Sequence, residues 1–368
     1  MADAVLVTSS FLPGRGGIES YLAELCSRLA PRLAVVAPAR RDGEPIPSGL
    51  PYPTHPYPYP MLISAPRLLR AIARTAESRR VLFGTPWPLV LLGPGLARRG
   101  LRYAVIVHGA ELLVPAAVPG VRQVLKRALS RAELLLPVSE FTADRLRDLL
   151  GEGAPRIEVL RAAVDLERFR PGLDATAVAS RLGIPEGAGV ILCLGRLVKR
   201  KGVDRLIRAV HELARDGRRI IAVVGGTGPD ESRLRRLAAH LGAPVIFAGR
   251  VGHAGAAALY ARADVFALPV ADRWFGLEVE GLGVALLEAQ ASGTPCVAGR
   301  SGGTTEAVID KETGFVIEGR DVAALGDRIN WLLHHPREAA AMGEAGRAHV
   351  AAHFSGELPP ALLSWLES

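Results

Sequence analysis

The chain has 368 residues, 49 % apolar and 5 % aromatic, and 45 Lys and Arg against 37 Asp and Glu leave a formal charge of +8. That length exceeds one ordinary hydrophobic core and predicts two domains; the charge asks for an anionic partner or surface, while scarce aromatics and the lack of a reading motif argue against nucleic acid. Three scattered cysteines, Cys26, Cys193 and Cys296, without a C-x-x-C pair argue against disulfides or structural zinc and fit a reduced compartment.

Met1-Ala-Asp-Ala runs directly into the apolar Val5-Leu-Val7, without the basic region, long apolar stretch and cleavage site of a secretory signal, which predicts a cytoplasmic protein. Pro13-Gly-Arg-Gly-Gly17-Ile-Glu19 then opens an amphipathic helix, and matches a dinucleotide-binding glycine turn only loosely because G-x-G-x-x-G is not met. Leu33-Ala-Val-Val36, Val81-Leu-Phe83, Ala104-Val-Ile-Val107 and Leu134-Leu-Leu136 read as further buried parallel strands with helical patterns between them. The Pro/Tyr-rich stretch Pro51 to Pro60 reads as a stiff loop. Val81 to Ala97 approaches the apolarity of a membrane span, but Pro86, Pro88 and Pro94 favour a strand, a loop and a helix start. Arg67, Arg70, Arg74, Arg79, Arg80, Arg98, Arg99, Arg102, Arg122, Lys126, Arg127 and Arg131 concentrate positive charge in this half. They form either solvated helix faces or a surface that docks on anionic lipid. His108-Gly-Ala-Glu111 ends a strand, where a histidine can meet sugar hydroxyls or handle a proton, or can simply be buried and satisfied.

After a linker at Asp165-Leu-Glu-Arg-Phe-Arg-Pro171 the pattern restarts with Gly189 to Leu194, Ile220 to Val224, Val245 to Phe247, Val265 to Leu268 and Pro295 to Val297. Two doubly wound α/β domains follow from this, 1–168 and 169–352, facing a cleft beyond the carboxyl ends of their strands. Leu194-Gly-Arg196-Leu-Val-Lys-Arg-Lys201-Gly202 places a guanidinium and an ammonium on a turn after the first strand of the second domain. That arrangement suits a diphosphate whose leaving charge must be stabilised, with surface charge or a localisation signal as the competing readings. Gly225-Gly-Thr-Gly228-Pro229 is either another phosphate turn or a tight strand-to-helix connection.

Glu280-Gly-Leu-Gly-Val-Ala-Leu-Leu-Glu288 joins a loop carboxylate, a helix start and a second carboxylate. The glycines allow close approach to a ligand, and the helix start favours a phosphate. Alone, the segment reads more simply as a solvated helix with ordinary surface acids. His334, His335, His349 and His353 lack carboxylate or cysteine partners and no D-x-D pair occurs, so neither a metal nor another cofactor is expected.

Gly16-Gly17-x-Glu19, His108-Gly-x-Glu111, Gly195-Arg196-Leu197 with Lys201-Gly202, Val224-Gly225-x-x-Gly228-Pro229, Phe247-x-Gly249-Arg250, Ala263-Asp264-Val265-Phe266 and Glu280-x7-Glu288 together resemble the retaining glycosyltransferases of family 4 over almost the whole chain. That resemblance implies the GT-B fold: two Rossmann-like domains, the donor nucleotide in the second, the acceptor in the first, and a last helix, here 353–368, that crosses back to the first. Gly276 to Gln290, Ser301-Gly-Gly303, Met342 to Val350 and Gly17-Ile-x-Ser-Tyr21 further resemble a group of actinobacterial mannosyltransferases that use GDP-mannose on phosphatidylinositol monomannoside. Ser9-Ser10 and Ala163 depart from that group, the first on the acceptor side.

By this resemblance Arg196 and Lys201 bind the donor diphosphate, Glu280 contacts the transferred hexose and Glu288 holds the ribose. Backbone N–H groups of Leu282, Gly283, Val284 and Gly17 meet the phosphates, Arg250 and Val251 lie against the base, and His108 sits near the sugar and the incoming acceptor. The implied partners are a nucleotide sugar, GDP-mannose in the first instance, and a lipid-linked acceptor at an anionic membrane, with peripheral docking on its inner face. The competing functions are a family 4 transferase using a UDP-sugar on a soluble glycan or secondary metabolite, a GT-B epimerase or phosphorylase, and a non-catalytic sugar-nucleotide-binding protein. The epimerase lacks identifiable acid/base groups, and the phosphorylase lacks a pyridoxal phosphate lysine context.

Overall fold

The computed structural model describes all residues except 1, 15, 42, 59–64 and 77–78, and the side chains of residues 65 and 253 also lie outside the description. Arg15 of the first glycine turn and the end of the Pro51 to Pro60 stretch therefore fall outside it. The chain divides into two compact units, Met1–Ala163 with Glu357–Ser368, and Val164–Gly356.

In unit 1 the strands are β1 (Ala4–Val7), β2 (Leu33–Pro38), the small pair β3 (Arg40–Arg41) and β4 (Glu44–Pro45), then β5 (Thr54–Tyr57), β6 (Arg80–Phe83), β7 (Arg102–Val107), β8 (Leu134–Pro137) and β9 (Arg156–Ile157). Seven of them form a sheet in the order β5-β2-β1-β6-β7-β8-β9, every pairing parallel. β1 and β8 are buried along their whole length, as expected where helices cover both faces. One face packs Val5, Val7, Phe83, Val105 and Val107 against Leu68 and Ile72 of the helix Ala65–Thr75 and Leu125 and Leu129 of the helix Pro119–Leu129.

Part of the proline-rich stretch expected as a loop is strand β5. A proline cannot donate to a ladder and is tolerated at a sheet edge, and Pro56 pairs with Ala37 on the outermost strand. The helix Pro360–Glu367 also belongs to unit 1. Its Trp365 Nε1 donates to Glu133 Oε2 at 2.8 Å, and its first turn is held by Ala361 N–H on Glu158 Oε2 at 3.2 Å.

Unit 2 contains β10 (Gly189–Leu194), β11 (Ile220–Gly225), β12 (Val245–Gly249), β13 (Val265–Leu268), β14 (Cys296–Gly299) and β15 (Gly314–Ile317), again all parallel, in the order β12-β11-β10-β13-β14-β15. The segment expected as a linker is folded onto this unit. Arg347 donates to the carbonyls of Phe169, at 2.9 Å, and Leu166, at 3.2 Å, and the buried Phe169 ring meets Tyr260 edge-on at 5.8 Å. All three cysteines are buried and unbridged.

Both sheets wind outward from a central strand in both directions. The direction of winding reverses between β1 and β6 in unit 1 and between β10 and β13 in unit 2, and the crevice beyond the carboxyl ends at such a reversal is where doubly wound sheets bind ligands.

Candidate active site

β10 is followed by Gly195 and Arg196, then by a single tight turn, Lys199–Lys201, which stops at Gly202. Gly202 has φ +72, and a Cβ there would lie 2.1 Å from the Pro269 carbonyl oxygen, so only glycine lets this turn close against the end of β13. The turn buries Lys201 and leaves Lys199 exposed.

β13 runs into a long loop that ends at the helix Val284–Ala291. Glu280 lies in that loop, buried, and Lys201 Nζ sits 2.9 Å from its Oε2, which the Arg200 guanidinium also contacts. Arg200 Nε is 3.8 Å from Glu278, and Glu278 accepts from Arg273 Nη1 at 2.9 Å. Burial pushes the Glu280 carboxyl up, but Lys201 and Arg200 outweigh it and hold it down at about 2. Glu280 is thus a permanent carboxylate near neutrality, shared by two cations at the reversal of the sheet.

The Glu280 backbone is pinned as firmly as its side chain. Its N–H donates to Ser301 Oγ at 3.0 Å, its carbonyl accepts from Gly303 N–H at 3.0 Å, and Ser301 in turn donates to Asp272. Gly302, at φ +51, permits this contact, since a Cβ would come 2.0 Å from the Glu280 carbonyl oxygen. Gly283, left-handed at φ +89, starts the helix, with Leu282 buried before it and Val284 as its first residue. Leu286 N–H donates to the Gly283 carbonyl at 2.8 Å, while the N–H groups ahead of it have no intrahelical acceptors and carry the positive end of the helix dipole.

One turn further on, Glu288 Oε2 accepts from Tyr260 Oη at 2.8 Å. Tyr260 is fully buried, with its ring against Phe169 and Phe266. Burial pushes the Glu288 carboxyl up to about 7, with the Tyr260 hydroxyl and the charge of Arg168 pulling the other way.

Arg196 is exposed on the β10 loop, and Arg250 is exposed after β12. A Cβ on Gly225, the last residue of β11, would come 2.9 Å from Val251 Cγ2 and 2.4 Å from Leu194 Cδ2, so Val251 reaches the ends of β10 and β11. The residues expected at a donor site therefore gather at the carboxyl edge of the unit 2 sheet, except Gly17, which begins the unit 1 helix Gly17–Arg28.

His108 belongs to unit 1, directly after β7, and is buried. Its Nε2 lies 2.9 Å from the carbonyl oxygen of Gly84, the residue after β6. A carbonyl only accepts, so Nε2 carries the proton and Nδ1 keeps its lone pair. The His108 N–H donates to Glu111 Oε1 at 2.8 Å, and the ring meets Tyr21 edge-on at 5.2 Å. Burial lowers the imidazole below its ordinary 6.5, against smaller opposing effects of Glu111, the Gly84 carbonyl and Glu19, so His108 is neutral at physiological pH.

Several side chains of this framework escaped the sequence reading: Arg200, Ser301 as a backbone clamp with its acceptor Asp272, Arg273, and Tyr260. Arg200 was visible inside the run Lys199-Arg-Lys201, but which cations of that run turn inward depends on the tightness of its turn. Tyr260 carries no local signal.

The description "Glycosyltransferase Family 4" matches residues 15–168, and "Glycosyl transferases group 1" matches residues 175–349. A GDP-mannose-dependent alpha-(1-6)-phosphatidylinositol monomannoside mannosyltransferase of Mycolicibacterium smegmatis is 41 % identical, with 93 % of this chain and 92 % of that protein aligned. The corresponding enzyme of Corynebacterium glutamicum, named for a monoacylated acceptor, is 38 % identical over 96 % of this chain and 94 % of that one. Among solved structures, sucrose-phosphate synthase from Thermosynechococcus elongatus superposes with a TM-score of 0.80 at 22 % identity, covering 95 % of this chain and 94 % of that one. Anabaena HepE, solved with UDP and glucose, superposes with a TM-score of 0.81 at 18 % identity, covering 100 % and 98 %. The similarity to curated relatives along nearly the entire chain, joined to two parallel doubly wound units, shows that this chain belongs to the retaining family 4 glycosyltransferases of the GT-B fold.

Proposed function

We propose that the chain transfers mannose from GDP-mannose, with retention, to a phosphatidylinositol mannoside-type lipid. The observation that carries this reading is the Lys201–Glu280–Arg200 cluster at the reversal of the unit 2 sheet, in a chain 36 % to 41 % identical to enzymes named for that reaction. In this reading Glu280 orients the mannose, Lys201 and the exposed Arg196 take the diphosphate, and the helix start at Leu282, Gly283 and Val284 meets it with N–H groups. Glu288 receives the ribose hydroxyls, Arg250 and Val251 flank the base, and Gly17 contributes its N–H to the phosphates by the family pattern.

No carboxylate is assigned as a nucleophile. Glu280 is shared by two cations, so its charge is spent on orientation, and a front-side displacement follows: the diphosphate departs with its charge held by Lys201 and Arg196, an oxocarbenium-like mannose forms, and the acceptor hydroxyl attacks from the same face, giving its proton to the departing diphosphate oxygen. Positioning and charge stabilisation supply the acceleration. His108, neutral with a free Nδ1 lone pair, accepts a hydrogen bond from a hydroxyl of sugar or acceptor.

Peripheral attachment to an anionic membrane is the proposed setting. Among the described residues no helix is long and apolar enough to cross a membrane. Val114, Val118 and Val124 are exposed on and between the helices Ala110–Ala116 and Pro119–Leu129, where Arg122, Lys126 and Arg127 also lie. Apolar side chains interspersed with cations suit a lipid headgroup surface.

The test is a matrix of GDP-mannose and UDP-sugars against an inositol mannoside lipid and simple glycans. Transfer of mannose from GDP-mannose to the lipid is expected; transfer only from a UDP-sugar to a soluble acceptor overturns the reading.

A further inference from the structure

The loop that carries Glu280 bears, a few residues earlier, an aromatic tip that the reaction does not use. Arg273 and Glu278 exchange backbone hydrogen bonds, N–H to carbonyl at 3.1 Å and back at 3.2 Å, and their side chains are bonded at 2.9 Å. This closes a small hairpin whose tip is Trp274-Phe275-Gly276-Leu277. Trp274 keeps 59 % of its full exposure and Phe275 109 %, so the Phe275 ring packs on almost nothing and the Trp274 ring leaves more than half of its surface to solvent. Both residues also have positive φ, +49 and +54, a conformation that bulky residues avoid and that costs free energy at each position. Two solvent-exposed aromatics held in a costly backbone mark a surface that another body covers.

The base of the hairpin indicates which body. Its acids are already engaged: Glu278 by Arg273 and Arg200, Asp272 by Ser301, and Asp230 by Arg233. Cations outnumber these acids: the exposed Lys199 and the half-buried Arg273 share the field of Asp230 with Arg233, the exposed Arg320 donates to the Asp272 carbonyl, and the Arg273 guanidinium lies 5.2 Å from the centre of the Trp274 ring. Exposed Trp and Phe on a hairpin whose base carries more cations than acids match the headgroup zone of an anionic bilayer, where an amphipathic ring sits between acyl chains and water and cations meet phosphates.

We propose that the Trp274–Phe275 hairpin is a membrane-inserting tip of the donor-binding unit, which holds the mannose site at the lipid surface from which the acceptor is drawn. This rests on the lipid-acceptor reading for its purpose. Its membrane contact does not depend on that reading, because binding and turnover are measured apart. A short link joins the tip to Glu280: Val279 is buried between the hairpin and Glu280, and Arg200 lies between their carboxylates, bonded to Glu280 and 3.8 Å from Glu278.

The full chain and its Trp274→Asn/Phe275→Asn double variant are compared, asparagine being chosen because it tolerates the left-handed backbone. The first measurement is co-sedimentation with vesicles of phosphatidylcholine containing about 30 % phosphatidylglycerol, set against pure phosphatidylcholine. The variant is expected to partition about tenfold more weakly into the anionic vesicles, with an unchanged thermal unfolding midpoint, and Trp274→Phe is expected to retain most of the binding. The second measurement is mannose transfer. The KM for vesicle-borne acceptor should rise about tenfold, while kcat/KM for a short-chain, water-soluble acceptor stays unchanged. Unaltered sedimentation of the double variant overturns the proposal, as does an equal loss on both acceptors, which would make the tip part of the transfer site or a seat for the other unit. If the wild-type chain transfers no mannose, the sedimentation arm still decides the tip while the lipid-acceptor reading falls separately.

Discussion

At the reversal of the unit 2 sheet a buried carboxylate is shared by two cations, whereas beside the reversal of the unit 1 sheet the buried side chain is a neutral imidazole fixed on a carbonyl. The two sheets are nearly the same object, parallel and wound outward from the first strand of each unit. What differs is the sequence after the strands. β10 and β13 lead into Lys201 and Glu280, and β6 and β7 lead into Gly84 and His108. One edge can stabilise the departure of a dianion, while the other can orient hydroxyls without paying to desolvate a charge. The topology provides two crevices, and in the proposed function their loops divide the labour between donor and acceptor.

That division predicts unequal consequences when each centre is removed. Lys201→Ala is expected to lower kcat about 10³-fold while barely changing the urea midpoint, because Arg200 still pairs with Glu280. Near-normal turnover would take Lys201 out of the mechanism. Glu280→Gln should damage turnover and fold together, since it strands two partly buried cations at a cost of about 3 kcal/mol, read by urea titration of the pure variant. The Glu280 carboxyl is held at about 2 against its ordinary 4.5. A depressed carboxyl contributes stability that is complete above about 4.5 and is lost as pH falls through about 2. The wild type should therefore lose stability across that acid range, and Glu280→Gln should show a flatter loss there.

His108→Gln is expected to cost between about tenfold and a hundredfold in transfer, with the urea midpoint lowered only slightly because glutamine can still donate to the Gly84 carbonyl. The pH dependence of transfer near 6.5 should be unchanged by the substitution, since burial already keeps this imidazole neutral there. A lost inflection near that pH in the variant would show instead that His108 titrates in the working range, and the contrast between a charged and a neutral crevice would fail.

Much of this arrangement was legible because parallel sheets leave short β-branched runs that need no context. Val265-Phe-Ala-Leu268 and Gly189 to Leu194 could only be buried strands, and the loops after them had to meet at one edge. Glu280 and Lys201 were thus identifiable from residue type and place in the chain. Their direct pairing was not, nor was the share that Arg200 takes in it, because a single tight turn decides which of three consecutive cations is buried. β5 was read as loop because its prolines speak against a strand, and only its edge position makes it tolerable. The link between Tyr260 and Glu288 spans 28 residues and exists only once the helices of unit 2 have packed.

That link yields the smallest effect and the finest test of the donor crevice. Burial pushes Glu288 up to about 7 from an ordinary 4.5. A raised carboxyl favours the protonated native state: its contribution to stability is complete below about 4.5 and is lost as pH rises through about 7. Ribose hydroxyls donate best to the ionised form, so the KM for the nucleotide sugar should fall as pH rises through that value. The Tyr260 hydroxyl favours the charged carboxylate, and the ring that carries it is wedged by Phe169 and Phe266. Tyr260→Phe keeps the wedge and removes only the donor. It should move the inflection in donor KM to higher pH and raise that KM about fivefold at neutral pH, the worth of one ordinary hydrogen bond, while kcat at saturating donor changes little. An unmoved inflection in Tyr260→Phe would separate Glu288 from donor binding and leave the nucleotide sugar to the diphosphate and base contacts.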